Sequence, residues 1–162
     1  MKQQNGFSLI ELLIVAVIVS IIAAIALPNL ISSRRAANEA SAVSSVRTSH
    51  GAQMTYAATK GTGNYAHSMA ELGSIHVIDA ALATGVKSGY VFYTAAEDVM
   101  GATPAIFAIG ATPTITSGVQ RTGSRNFGCD QSGVIYYSSD FNWGMHGTNA
   151  YLDPGGTPMP AN

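Results

Sequence analysis

Three things are scarce in this chain of 162 residues: charge, cysteine and aromatic side chains. Only 10% of the residues are charged, against 47% apolar, and the mean hydropathy is +0.21. Intrinsic disorder needs the opposite balance, so the composition excludes it. Lysine and arginine number 8 and aspartate and glutamate 9, which leaves no basic excess to hold nucleic acid phosphates. The single cysteine, Cys129, cannot form an internal disulfide, and no Cys/His pair has zinc-ligand spacing. Enzyme signatures are missing too: no nucleophile elbow, no H-E-x-x-H, no phosphate-binding loop and no kinase motif. His50, His67, His76 and His146 stand in separate contexts with no shared spacing. No catalysis, cofactor or metal site is expected.

What is present is an uneven distribution of apolar residues. From Phe7 to Leu27 only Ser8, Glu11 and Ser20 interrupt an apolar run. A helix of that length spans about 30 Å, the hydrocarbon thickness of a bilayer. It has no polar face of the kind a soluble surface helix shows. The run is therefore read as a membrane-inserting helix.

Three readings compete for it. A cleaved secretory signal would use Lys2 as its basic region, Leu12 to Ile22 as its apolar core and Ala24-Ile25-Ala26 as its cleavage site. A plain membrane anchor is the second. Neither accounts for Glu11, a carboxylate inside the apolar run, which costs a few kcal/mol at the bilayer centre and calls for a partner. The third reading starts from the pattern as a whole: a short leader with Lys2, then Gly6, Phe7, Ser8-Leu9-Ile10-Glu11, then an apolar run up to Pro28.

This pattern resembles the N-terminus of a type IV pilin precursor. The resemblance is strong over roughly the first thirty residues and weaker beyond. It implies that a prepilin peptidase cuts between Gly6 and Phe7 and that the new N-terminal Phe7 is N-methylated. It also implies that Glu11 neutralises the N-terminal amine of a neighbouring subunit during filament assembly. Both charges are costly in an apolar setting and tolerable together, so the pair would set register more than it adds stability. Glycine at position 6 suits a close approach of protease to backbone. Charge counting adds no vote on orientation: Arg34 and Arg35 follow the run, while Lys2 and the α-amino group precede it. The resemblance places the N-terminus in the cytoplasm.

Beyond Leu27, Pro28 removes a backbone donor and presses on the carbonyl of Ala24, which predicts a kink or local unwinding. An amphipathic half-helix follows. Its apolar stripe is expected at Ala36, Ala40, Val43, Val46 (or Arg47), His50, Met54 and Ala57, with Arg34, Arg35, Glu39 and Ser45 off it. Gly61-Thr62-Gly63 ends it. Ser68 to Glu71 fits a capping box before a short helix closing near Gly73, and Asp79 to Gly85 a further helical turn. Strands are expected at Tyr90–Thr94, Ala105–Ile109, Thr122–Cys129 and Gly133–Ser138, the last two joined by a tight turn at Asp130-Gln131-Ser132-Gly133.

The expected fold is α+β: a long N-terminal helix, half transmembrane and half amphipathic, packed on a roughly four-stranded antiparallel sheet in the manner of type IV pilins. The expected divisions are a leader (1–6), an assembly half-helix (7–28), an amphipathic half (29–60), a connecting loop (61–88), a sheet (89–139) and a C-terminal loop and tail (140–162). Many pilins clamp the C-terminal region with two cysteines, whereas here Cys129 stands alone and is read as a buried free thiol. Asp140, Asn142, Asn149 and Asp153 are oxygen ligands too scattered to argue for calcium, and Trp143 reads as an anchor.

The function this implies is a structural subunit. The resemblance supplies its partners: other copies of itself in a homopolymer, the prepilin peptidase, the pilus assembly machinery, and membrane lipid before assembly. Its location would be the cytoplasmic membrane as precursor and an extracellular pilus afterwards. The alternatives are a pseudopilin of a type II secretion system and, from another class, a secreted or membrane-anchored binding domain whose signal mimics a prepilin. A neutral head rich in small residues suits close side-by-side packing of subunits.

Overall fold

The computed structural model describes residues 7–138 and the backbone of 157–158. The calls on Lys2, Gly6, Asp140, Asn142, Trp143, His146, Asn149 and Asp153 lie outside the described residues. The chain divides into two compact units, Met1–Arg34 and Arg35–Asn162, and each is taken by itself.

Helix α1 covers Leu9–Ala58. In the first unit it is apolar all round, and its window of highest hydropathy has no buried residue. Its polar side chains turn back on their own helix. Ser20 Oγ donates to the Ala16 carbonyl at 2.7 Å and Ser32 Oγ to the Asn29 carbonyl at 2.9 Å. Such back-bonding satisfies hydroxyls without water, as a lipid setting requires. Helical structure continues through Pro28. The helix is therefore not unwound at Pro28; it forgoes the donor to Ala24 that proline lacks.

In the second unit the helix meets a six-stranded antiparallel sheet in the simple order β1 to β6. The strands are β1 (Val86–Lys87), β2 (Tyr90–Glu97), β3 (Ile106–Pro113), β4 (Asn126–Asp130), β5 (Ile135–Ser138) and β6 (Thr157–Pro158). The four expected strands are β2 to β5; the two added ones are two-residue edge strands. Strand β2 pairs along its whole length with β3, from Tyr90 opposite Pro113 to Glu97 opposite Ile106. Alternation along β2 sends Tyr90, Phe92 and Thr94 inward, and β3 answers with Phe107, Ile109 and Ala111.

Two expectations need correction. Strand β4 begins at Asn126, not Thr122, because residues 122–125 commit their backbone elsewhere. The Thr122 amide donates to the Ile115 carbonyl at 3.0 Å, the Thr122 carbonyl accepts from Asn38 Nδ2 at 2.9 Å, and the Ser124 amide donates to Glu39 Oε1 at 2.7 Å. With the Arg125 carbonyl also taken by the Tyr90 hydroxyl, four of the backbone groups a ladder would use are engaged outside it. The apolar stripe is the second correction. Glu39, Ala42, Ser45, Val46, Ser49, Ala52 and Gln53 are the buried residues of α1, while Ala36, Ala40 and Met54 are exposed. The buried face is rotated by about one residue from the expected one, and it is small and polar.

Named partners explain that polarity. Gln53 is fully buried; its Nε2 donates to the Ala66 carbonyl (2.9 Å) and to Thr94 Oγ1 (2.8 Å), and its Oε1 accepts from the Ala66 amide (2.8 Å). Thr94 Oγ1 passes the chain on to the Ala108 carbonyl at 3.1 Å. One side chain thus ties helix, loop and two strands. Around it packs a core of Val46, Leu72, Leu82, Tyr90, Phe92, Phe107, Ile109, Phe127 and Ile135. The Tyr65 and Phe107 rings lie 4.6 Å apart at 57°, a favourable tilted geometry.

The connecting segment follows its capping signals. Helix α2 (Met69–Ser74) is capped by Ser68, whose side chain accepts from the Glu71 amide at 3.2 Å, and Glu71 Oε2 reaches back to the His67 amide at 2.7 Å. Helix α3 (Ala80–Ala83) is capped by Asp79, which accepts from the Leu82 amide at 2.9 Å. The turn after β4 closes with the Gly133 amide donating to the Asp130 carbonyl at 3.1 Å, and Gly133 takes a φ of 76° that favours glycine. Gln53→Ala should lower stability by about 2–4 kcal/mol, since it strands buried partners on two elements. Denaturant unfolding of the detergent-solubilised chain measures this, and a loss below about 0.5 kcal/mol would contradict the role given to Gln53.

Candidate functional site

The start of helix α1 holds the residues that the sequence singled out. Ser8 is the residue before the first helical position, and Glu11 is the third helical residue. Glu11 Oε2 accepts from the Ser8 backbone amide at 3.0 Å, and the Glu11 and Leu12 amides donate to the Ser8 carbonyl at 3.1 and 3.3 Å. This is the carboxylate half of a capping box, S-x-x-E, in which the acid satisfies a helix-end donor. A negative charge in the first turn also complements the helix dipole. The spacing from Ser8 to Glu11 is legible in the sequence, and the structure gives Glu11 an intrachain bond beside the intermolecular role the resemblance implies.

Phe7 is 79% exposed beside this turn. The large apolar side chains that follow, from Leu9 to Leu30, are exposed as well. Leaving each in water forgoes about 1.5–3 kcal/mol of burial, so the segment requires lipid or other chains around it. Glu11 is the one acid within it. The structure brings Phe7, Ser8 and Glu11 together in one turn; Pro28 lies more than four helical turns further along.

A second acid, which the sequence reading placed off the packed face, is the electrostatic centre of the other unit. Glu39 is 7% exposed. Its Oε1 accepts from the Ser124 amide (2.7 Å) and Ser124 Oγ (2.6 Å), and its Oε2 accepts from Arg125 Nε (2.9 Å) and Nη2 (2.7 Å). Arg125 lies 5.6 Å over the Phe127 ring and 5.2 Å over that of Tyr137, and the Tyr90 hydroxyl donates to the Arg125 carbonyl at 2.9 Å. Burial alone would push the Glu39 carboxyl up; the Ser124 and Arg125 donors outweigh it and hold the group below its ordinary value. Cys129 is 1% exposed and unpaired, and burial, with Asp130 beside it, pushes its thiol up to about 12. Such a thiol is a core residue, not a nucleophile.

The histidines are dispersed. His50 tilts against the Phe107 ring at 5.6 Å, His67 meets Asp98 at 3.1 Å on the surface, and His76 is exposed at a φ of 57°. Among the described residues, no three His, Cys, Asp or Glu side chains gather as a metal-ion site.

Residues 1–27 match the family model for the prokaryotic N-terminal methylation motif. The chain carries a prokaryotic N-terminal methylation motif. A stretch of 39 residues is 51% identical to the Type IV wide pilus major component PilA4 of Thermus thermophilus. That match covers 24% of this chain and 30% of the relative. No solved structure matches the chain. The pilin-like architecture rests on the helix and sheet described above: a long N-terminal helix, apolar in its first half, whose second half packs on an antiparallel sheet.

Two outcomes follow from the electrostatics of this pilin-like head. The Glu39 carboxyl is lowered on folding, so its contribution to stability is complete above the unfolded value of about 4.5 and is lost as pH falls through the lower folded value. Glu39→Gln should therefore flatten the acid limb of the stability–pH curve below about pH 4.5 while lowering stability at neutral pH; an unchanged acid limb would remove Glu39 as its source. Iodoacetamide at pH 8 should leave Cys129 unmodified until denaturant is added, as read by mass spectrometry. Rapid labelling of the native protein would contradict its burial.

Proposed function

We propose that this chain is a structural filament subunit, cut between Gly6 and Phe7 by a prepilin peptidase, N-methylated at Phe7, and polymerised through helix α1 into an extracellular pilus. The observation that carries the reading is an apolar helix with no buried residue in its span and a single acid in its first turn. Such a helix is complete only when something apolar surrounds it. Lipid of the cytoplasmic membrane does this for the precursor and the unassembled subunit. The helices of neighbouring copies do it in the filament, with the sheet units outside.

Glu11 supplies the register. In the single chain its Oε2 holds the Ser8 amide, which leaves Oε1 for a second donor. The N-terminal amine of a neighbouring Phe7 has the charge to occupy it. In an apolar bundle a helix displaced along its neighbour would leave both charges unpaired, at a cost of about 3–5 kcal/mol, so only one register is permitted. Pro28, kept within helical backbone, lets the helix bend where the bundle needs it.

Mass spectrometry of sheared surface filaments tests processing. The expected chain begins at a methylated Phe7, and one that begins at Met1 or Leu27 overturns it. Glu11→Ala should insert and be cleaved normally yet leave the surface nearly free of filaments. Filaments at the level of the unsubstituted chain would take the registering role away from Glu11. A type II secretion pseudopilin would share the cleavage and the fold but give no long surface filaments, so the same shearing experiment separates the two.

A further inference from the structure

Two features of the second unit take no part in its core or in its polar network. The first is the tip of the hairpin joining β2 and β3. Residues 98–104 are all exposed, Met100 at 80% and Val99 at 53%. Apolar side chains scattered singly over a surface are ordinary, but this adjacent pair stands on a loop held in one shape. The Met100 amide donates to the Thr103 carbonyl at 3.2 Å and the Thr103 amide to the Met100 carbonyl at 3.0 Å, about a Gly101 whose φ is 62°. The Val99 amide donates to Asn64 Oδ1 at 2.9 Å, and Asp98 Oδ1 meets His67 Nε2 at 3.1 Å. The connecting segment thus braces the base of the hairpin and leaves its apolar end in the open.

The second feature is an open groove of about 370 Å³ at helices α2 and α3. Ala70, Gly73, Ala80, Ala83 and the buried Ile78 line it. A Cβ at Gly73 would come within 2.5 Å of the Ala83 Cβ, so the two short helices approach closely while their small side chains leave the recess unfilled. One cation stands at its rim. Lys60 Nζ donates to Ser74 Oγ at 3.0 Å, next in sequence to Gly73, and has no carboxylate partner among the described residues. The tip has the opposite sign: Asp98 adjoins Val99, and its side chain is 55% exposed despite the contact with His67. A protruding apolar pair beside an acid and an apolar recess beside a lysine are complementary in relief, polarity and charge. A single copy does not join them, since its own Met100 is exposed and its own groove open.

We propose that the occupant of this groove is a second copy of the chain: the Val99–Met100 tip of one subunit docks between α2 and α3 of the next, with Asp98 facing the next subunit's Lys60. This rests on the filament reading given above. Methionine is unbranched and polarizable, fills an irregular recess readily, and is enriched at the centre of protein interfaces. Tip and groove are different surfaces, so the contact is heterologous. Each docked copy still offers a free tip on one side and a free groove on the other, and the contact propagates instead of closing as a pair. The exposed Asp98–Lys60 pair steers the encounter and fixes its orientation more than it adds strength. The bonds at Asn64, Met100 and Thr103 keep the tip in its docking shape beforehand, so little chain entropy is lost on contact.

The test uses the full chain, expressed in cells that lack the unsubstituted one. Sheared filaments carrying Met100→Cys together with Ala80→Cys are oxidised with copper phenanthroline; both positions are exposed, and buried Cys129 does not compete. A ladder of cross-linked chains is expected on a non-reducing gel. Co-expression of the two single variants should give dimers and nothing larger. Val119→Cys in place of Met100→Cys, an exposed apolar position on another loop, should give several-fold less product. Filaments that form but show no link between chains above this control overturn the docking and leave the filament reading intact. Dimers alone from the double variant overturn its propagating form. Absence of filaments from the unsubstituted chain overturns both readings. Filament yield is the second measurement. Met100→Asp should lower it several-fold with the precursor inserted at its usual level, whereas Val119→Asp should not. Lys60→Glu should lower it too, and Asp98→Lys in the same chain should restore most of the loss. A yield indifferent to Met100→Asp overturns the role of the tip, and a charge exchange no better than Lys60→Glu alone overturns the Asp98–Lys60 pairing.

Discussion

The head is held to its helix by hydrogen bonds whose acceptors and donors are spread over the whole second unit. Arg35, Asn38, Glu39 and Gln53 lie on the packed face of α1, and each meets a different part of the chain. The residues between them, Ala42, Ser45 and Ser49, are small enough to let the domain approach closely. An apolar stripe would attract any apolar surface. A stripe of polar groups is satisfied by one arrangement, because a shift would strand Glu39 and Gln53 without partners, and buried polar groups are costly when unmet. The conformational uniqueness of the head therefore comes from its polar contacts, and its bulk stabilisation from the aromatic and aliphatic core beneath the sheet.

Most of the fold could be read from local signals. Ser68 and Asp79 cap their helices, the alternation in Tyr90–Thr94 gives a strand, and Asp130 to Gly133 makes a tight turn, each because the chemistry is complete within a few residues. The phase of the packed helix face was not readable in that way. Glu39 and Ser45 look like solvent-facing residues until Ser124 and Arg125 are known to lie opposite, more than eighty positions away in sequence. For the same reason residues 122–125 appeared to be strand. Their composition fits a ladder, but Asn38, Glu39 and Tyr90 claim their backbone groups first. The N-terminal site was legible as a pattern of residue types, and its geometry added that Glu11 already has a hydrogen bond in the single chain.

That bond alters how assembly is pictured. A bare carboxylate in lipid would press strongly for any cation. One that accepts from the Ser8 amide is partly satisfied, and it keeps a fixed position at the helix start while it waits. The span has its own means of remaining in lipid, with Ser20 folded back on its helix and apolar side chains on every face. An apolar helix of this kind is satisfied by hydrocarbon or by other apolar helices, and in either setting Glu11 is its one acid.

The lone cysteine has a consequence for how such a subunit is made. A chain with one thiol, buried on β4 opposite Ile135 and reluctant to ionise, has no internal cross-link to form and none to form wrongly. The sheet strands around it need no disulfide pairing to reach their register. With its one thiol buried and reluctant to ionise, the head does not depend on the redox state of its surroundings for a covalent link.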